Sequence, residues 1–316
     1  MNETVETRVL RTSDAEIAEA GQRLAQGQLV AFPTETVYGL GADATNDLAV
    51  ARIFAAKDRP TFNPLIAHVP DLAAAEALCD FDDAARRLAS AFWPGALTLV
   101  LPLKPNAPVS KLVTAGGANL AVRVPSSPIA TALLRAANTP VAAPSANPSG
   151  RISPTTAAHV LSGRNGQIDA VIDAGPCAVG LESTIIGFND APVLLRAGGI
   201  PAEVIEDCLG VQLHSHSEGD RPTAPGQLAS HYAPKGPVRL NVVDPEPGEF
   251  HIGFGEVKGA VSLSQTADLQ EAAASLFKVL HMADATGRNI AVAPVPDIGL
   301  GRAINDRLTR AAAPRN

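Results

Sequence analysis

Apolar positions along the chain switch repeatedly between a helical and an alternating period, which predicts helices and strands in irregular succession. Ser13 or Asp14 caps a helix to about Gln26, with Ile17, Ala20 and Leu24 on one face and Gly27 as its stop. Leu29 to Phe32 follows as a short buried strand ended by Pro33. A helix from Asp47 ends at Lys57, because Pro60 disfavours helix just before it. Further helices are predicted at Asp82 to Phe92, near Ser127 to Ala137, at Pro154 to Leu161 and at Ile200 to Leu209. Strands are predicted at Leu97 to Leu103, Leu120 to Val124, Val141 to Ala143 and Ala170 to Asp173. Thr184 to Phe188 and Val193 to Leu195 read as a strand pair turned through Asn189-Asp190. Such irregular alternation predicts a mixed α/β sheet in place of an all-parallel one.

From His214 to Pro237 the periodicity is lost in a His/Ser/Gly/Pro-rich stretch with the composition of a linker. It nevertheless carries Leu228, His231 and Tyr232, which a bare tether does not need. Beyond it come a strand at Val238 to Val243, one near Val261, a long helix at Leu269 to Ala285, a strand at Ile290 to Ala293 and a helix at Arg302 to Ala312. The expected organisation is a large domain over 10–210, a linker or lid over 211–236, and a small α/β domain over 237–316. The chain has 316 residues, more than one core usually supports, which agrees with two domains.

Composition narrows the function. Hydrophobic residues make up 46% and charged residues 18%, as in a globular protein with a real core, but only 4% are aromatic. A net charge of −7 argues against a general nucleic-acid binder, and scarce aromatics argue against base-stacking platforms. Direct, stable nucleic-acid binding is therefore not expected. Cys79, Cys177 and Cys208 show no C-x-x-C spacing and suggest packed thiols, not a disulfide framework or structural zinc. The N-terminus lacks the apolar run of a secretory signal, and no stretch reaches the roughly 20 apolar residues of a membrane helix, so a cytoplasmic location is expected.

Two polar clusters carry the candidate chemistry. One is Lys57-Asp58-Arg59-Pro60-Thr61-Phe62-Asn63-Pro64-Leu65, closed by His68; the other is Ser145-Ala146-Asn147 between Pro144 and Pro148. Proline keeps both out of regular structure, and together they suit a site that grips an oxyanion-rich ligand. Arg59 can clamp two phosphate oxygens, while Lys57 offers a mobile point charge. A helix C-terminus also favours cations on its own account, which is the alternative for both. Arg123 and Arg196 interrupt or end apolar strand runs and are either site cations or solvent-facing strand residues. Ser145 and Asn147 can equally be turn formers. No G-x-x-x-x-G-K-[ST] loop is present. Gly39-Leu40-Gly41-Ala42-Asp43-Ala44 fits G-x-G-x-x-A without the strand–turn–helix context of a dinucleotide site, and is expected to give backbone flexibility at a cleft wall.

The run Pro33-Thr34-Glu35-Thr36-Val37-Tyr38-Gly39-Leu40-Gly41, the K-x-R-P-x-x-N-P-L run and the S-x-N at Ser145 resemble the YrdC-like domain. Gly180-Leu181-Glu182-Ser183-Thr184-Ile185 and Leu195-Arg196-Ala197-Gly198 extend the match. Arg221 to Gly226, His231-Tyr232-Ala233-Pro234, Gly299-Leu300-Gly301 and Ala303 to Leu308 resemble the long form of the threonylcarbamoyl-AMP synthase family. The resemblance runs from about residue 10 through nearly the whole chain. It implies a YrdC-like mixed twisted sheet with helices around a concave cleft, followed by a small Rossmann-like α/β domain. It also implies an enzyme that converts L-threonine, bicarbonate and ATP to threonylcarbamoyl-AMP and pyrophosphate. In that family a downstream threonylcarbamoyl transferase then modifies tRNA.

By the same resemblance, Thr36, His68, Arg123 and Ser183 fall where the family holds threonine or its carbamate. Arg59, Asn63, Ser145, Ser153, Arg196 and Tyr232 fall where it holds ATP, as do Asn119 and Ala143, which are expected to act through backbone groups. Lys57 and Arg59 are the expected catalytic cations. Mg²⁺ is expected to arrive on the phosphates, since no carboxylate cluster suggests a protein-held ion. The linker with Tyr232 is expected to cover the nucleotide. Two alternatives remain: a carbamoyl transferase of hydrogenase-maturation type, whose zinc-binding Cys pairs and acylphosphatase-like region this chain lacks, and an RNA-binding module.

Overall fold

The computed structural model describes residues 6–188, 191–215 and 230–314. The large domain is built, in order, from β1 (Arg8–Leu10), α1 (Asp14–Ala25), β2 (Val30–Pro33), β3 (Tyr38–Asp43), α2 (Asp47–Lys57) and β4 (Ile66–His68). Next come α3 (Leu72–Leu78), α4 (Asp83–Phe92), β5 (Leu97–Pro102), β6 (Asn119–Arg123), α5 (Pro128–Ala137) and β7 (Val141–Ala142). Then follow α6 (Ala157–Arg164), β8 (Ala170–Ile172), β9 (Thr184–Phe188), β10 (Pro192–Arg196), α7 (Ala202–Leu209) and β11 (His214–Ser215). Among the described residues these strands form one sheet of order β1-β8-β2-β3-β7-β4-β6-β5-β9-β10-β11. Parallel and antiparallel neighbours both occur within it, so the sheet is mixed.

Helix boundaries follow local chemistry. Ser13, Asn46, Asp71, Asp82, Ser127 and Thr156 each accept a backbone N–H of the first turn, satisfying donors that the helix cannot pair itself. Helices α1 and α5 pack on the β2 and β8 side of the sheet through Leu24, Leu133 and Leu134. The larger apolar cluster joins α2, α3, α4 and α7 to the other strands through Ile53, Leu78, Leu88 and Ile205. All three cysteines are free thiols; Cys79 and Cys177 are buried and Cys208 is partly exposed.

Several elements depart from the expectation. β1 and β4 have three residues each, too few to show a period, and lie outside the elements expected from the sequence, as do α3 and a strand at Phe250–Gly253. Helix α6 begins at Ala157, because Thr156 is the cap and not Pro154. The G-x-G-x-x-A run is not a flexible wall but lies along β3. A Cβ on Gly39 would stand 3.2 Å from Ala143 Cβ, and one on Gly41 would meet Phe32 and Val141 at 3.0 Å. These glycines permit close approach of strands and side chains. Asn189-Asp190 and residues 216–229, with Arg221 to Gly226 and Leu228, lie outside the described residues. β11 pairs parallel with β10, so the large sheet continues into the stretch whose composition suggested a linker.

The small domain contains β12 (Val238–Arg239), β13 (Phe250–Gly253), β14 (Val261–Ser262), α8 (Leu269–Ala285), β15 (Ile290–Val292) and α9 (Leu300–Ala312). Its sheet, ordered β12-β15-β13-β14, is parallel throughout. Leu276, Phe277 and Leu280 of α8 and Ile304 and Leu308 of α9 fill its core. That core does not stop at the domain boundary. Val37, Ile152 and Leu181 of the large domain join it, together with Tyr232.

Gly180 packs tightly against α8 of the small domain. It has φ +73°, and a Cβ there would lie 2.5 Å from Ala274 Cα and 2.6 Å from Ala273 O on α8. Gly180→Val is therefore expected to lower stability by about 2–4 kcal/mol, from left-handed backbone strain plus overpacking against a helix that cannot yield. Thermal unfolding of the variant beside the wild-type chain checks this; an unchanged midpoint contradicts the contact.

Candidate active site

The carboxyl ends of β4 and β6 set one wall of the site. These strands are parallel neighbours in a register that pairs His68 with Arg123, so both side chains leave the sheet at the same level. Crevices beyond strand carboxyl ends are where open α/β sheets hold ligands. Arg123 is buried, and its Nη1 donates to Thr36 Oγ1 at 2.9 Å, its Nη2 to Glu35 Oε1 at 2.5 Å and its Nε to Gly95 O. Burial pushes the Glu35 carboxyl up, but the charge and hydrogen bond of Arg123 outweigh that and hold it below the ordinary value. Burial and the adjacent Arg123 push His68 down to about 3, so its ring is neutral. It can offer hydrogen bonds here but no charge.

Arg196, the last residue of β10, forms the second wall. Its Nε and Nη2 donate to Ser183 O, and Nη2 also reaches Ser183 Oγ at 3.2 Å. Ser183 Oγ lies 2.7 Å from Thr98 Oγ1 on the neighbouring parallel strand β5. Burial lowers the pKa of Arg196, and the nearby Arg307 and Arg123 add to that effect.

The K-x-R loop forms the third wall. Asp58 caps α2 in the left-handed conformation, and Arg59 N returns to Phe54 O. The Arg59 guanidinium is thereby buried, with Nε donating to Asn63 O and Nη2 to Pro64 O. Burial and the charge of Arg196 bring it down to about 10, which leaves it protonated at neutral pH. Three buried guanidiniums thus converge on one cavity. Net positive charge in a water-poor space favours a polyanionic ligand strongly.

Of the residues singled out in the sequence, Thr36, Arg59, His68, Arg123, Ala143, Ser145, Ser183, Arg196 and Tyr232 line this cavity. Four others do not. Lys57 is a tie, not a free catalytic cation: its Nζ donates to Ser145 O and to Asn147 O, stapling the two polar loops together. Burial, with Arg59 and Arg164 nearby, pushes its pKa well below the ordinary value. Ser153 sits behind the wall and donates to Glu182 Oε1 at 2.5 Å. Asn63 is buried, with neither atom of its side-chain amide partnered. Asn119 opens on a second cavity, lined also by Phe62, Pro64 and the Thr114 to Ala118 loop. Ala143 reaches the first cavity, but its N–H already donates to Ile66 O, so that donor is not available to a ligand. In the S-x-N motif Asn147 is the turn former, donating to Pro148 O and Arg151 O.

Thr34, Glu182 and His231 also line the cavity, though none was singled out as a ligand residue in the sequence. Glu182 is an acid within an otherwise apolar and hydroxylic run, which was the available signal. Tyr232 has φ +59° and lies 5.5 Å, ring to ring, from Phe277 of α8. Burial raises its hydroxyl to about 12. The strap it belongs to is held by His231 N donating to Arg310 O and Ala233 N to Gly150 O. The part of the expected lid that the structure describes therefore packs between both domains.

Comparison with known proteins agrees with this architecture. Residues 22–198 match the family described as "Telomere recombination", and residues 200–313 match "Threonylcarbamoyl-AMP synthase, C-terminal domain". The Threonylcarbamoyl-AMP synthase of Bacillus subtilis is 42% identical over an alignment 331 positions long, covering 97% of this chain and 95% of the relative. That of Pyrococcus abyssi is 40% identical over 96% of each chain. The crystal structure of P. abyssi Sua5 complexed with L-threonine matches with a TM-score of 0.89 at 37% identity, over 97% of both chains. Two consecutive family matches, near-complete coverage at this identity and a shared two-domain fold lead to one conclusion: the chain belongs to the threonylcarbamoyl-AMP synthase family.

Proposed function

We propose that this chain condenses L-threonine, bicarbonate and ATP into threonylcarbamoyl-AMP and pyrophosphate. The observation that carries the proposal is the convergence of buried Arg59, Arg123 and Arg196 on one cavity that also presents Thr36, Ser145 and Ser183. Threonine's amine and bicarbonate give a carbamate with loss of water. A carbamate oxygen then attacks the α-phosphorus in line with the leaving pyrophosphate. Both partners are anions, so cations that neutralise them come first. Orientation comes second and can supply about 7–11 kcal/mol when the reacting atoms are near attack geometry. The carbamate is already anionic, so no general base is required, and a neutral His68 is consistent with that.

In this reading Thr36, His68, Arg123 and Ser183 hold threonine and its carbamate. Arg59, Arg196 and Ser145 take the phosphates, with Tyr232 over them and Asn63 and Ser153 in support. The second cavity at Asn119 takes the base, since Pro64, whose carbonyl binds Arg59, stands on its rim. Mg²⁺ is proposed to arrive on the triphosphate. Glu182, a cavity carboxylate, is bound to Arg307 and Ser153, and the described residues contain no cluster of three or more His, Cys, Asp or Glu able to hold a metal. That donor set does not fit a protein-held ion. A cytoplasmic location and delivery of the product to a threonylcarbamoyl transferase acting on tRNA complete the proposal. No helix among the described residues is long and apolar enough to cross a membrane.

Pyrophosphate release is expected to require threonine and bicarbonate together. Equal ATP turnover in buffer stripped of bicarbonate contradicts the mechanism. Arg59→Lys is expected to lose nearly as much kcat/KM for ATP as Arg59→Ala, about 10²–10³-fold, as for removal of a fixed oxyanion donor. Near wild-type activity of Arg59→Lys would show that a point charge suffices there.

A further inference from the structure

A carboxylate in the wall of a cavity made for anions needs an explanation. Glu182 is buried and lines the site, where an ionised side chain opposes both the carbamate and the triphosphate. Its Oε2 accepts from Arg307 Nε at 2.9 Å, while Ser153 takes its other oxygen. Arg307 belongs to α9 of the small domain and is fully buried. Its guanidinium carbon also lies 5.2 Å from the centre of the Tyr232 ring. Nη1 donates to Asp306, whose other oxygen accepts from Arg310 Nε; Arg310 O in turn holds His231 N. One side chain of the second domain therefore meets two residues of the cavity wall, one by charge and one by its face.

We propose that Arg307 is a positioning residue for the adenylation site, through which the small domain neutralises Glu182 and seats the Tyr232 ring. The inference rests on the proposed function only for the identity of the anion. The groups facing Glu182 are Arg307 from α9, Arg196 from β10, Tyr232 from the strap, and the Ser153 hydroxyl. Burial pushes the Glu182 carboxyl up, but Arg307 and Arg196 with the hydrogen bonds bring it below the ordinary range. Removing Arg307 leaves burial in place and raises that pKa. Below the raised pKa Glu182 is neutral and the wall tolerates anions; above it Glu182 ionises and repels them. The defect must grow with pH.

The test is calorimetric binding of a non-hydrolysable ATP analogue to the full chain at about pH 6 and about pH 8, followed by steady-state kinetics. Arg307→Met is expected to raise Kd about tenfold or more at the higher pH and less at the lower, with KM for ATP rising more than kcat falls. Glu182→Gln/Arg307→Met removes both charges and is expected to bind within about threefold of wild type with a flat pH response, since replacing a buried pair is tolerated better than breaking it. Glu182→Gln alone is expected to bind at least as tightly as wild type. A pH-independent defect in Arg307→Met, or a double variant no better than the single, overturns the inference. Should Arg307→Met not fold, the other two variants decide: weakened binding in either makes Glu182 a needed ligand and overturns it, while retained binding in both supports it. A wild-type chain that does not bind the analogue overturns the proposed function, and the role of Arg307 with it.

Discussion

Concentrating buried positive charge is the constraint on which the rest of this molecule depends. An ion taken out of water costs several kcal/mol unless hydrogen bonds and opposite charge replace its hydration. Each guanidinium of the cavity meets that requirement differently. Arg59 is wrapped by carbonyls of its own loop, Arg196 by the backbone of Ser183, and Arg123 by Glu35 with Thr36. These partners come from short, proline- or glycine-marked segments, because a regular helix or strand has its carbonyls already engaged. Irregular backbone at the strand ends is thus the means by which the fold holds charge.

The same constraint explains the staple between the two polar loops. Lys57 ends α2, and its Nζ donates to the carbonyls of Ser145 and Asn147. A loop that carries Arg59 is thereby fixed to a loop that carries Ser145. Rigid placement matters for a reaction in which positioning and charge neutralisation supply the rate. Lys57 thereby sets the distance between the loops that carry Arg59 and Ser145.

The second domain completes the enclosure. Its core takes in Val37, Ile152, Leu181 and Tyr232, so apolar burial holds it over the cavity. Glu182 and Arg307 meet across that boundary with both side chains removed from water. Water exclusion strengthens every electrostatic interaction inside and protects a carbamate and a mixed anhydride from hydrolysis.

Much of this was written into the sequence by local chemistry. Helices such as α1, α4 and α8 announced themselves by period and by Ser or Asp caps, and the polar clusters at Lys57 and Ser145 stood out because proline excludes them from regular structure. The ends of strand runs at Arg123 and Arg196 were visible, but a strand arginine faces a site or solvent according to its sheet neighbours. Only the pairing of β4 with β6 and of β9 with β10 decided that both turn inward. Strands of two or three residues, such as β1 and β4, have no period to read and exist because a neighbour supplies their hydrogen bonds. Arg307 is the extreme case. It lies in the Ala303 to Leu308 run that carries the resemblance, but no local pattern shows that it is buried against Glu182, 125 residues away. Sequence determines the groups a chain can bring to a site, because propensity and capping act over a few residues. Charge pairing across a domain boundary acts through space, and only the tertiary structure decides it.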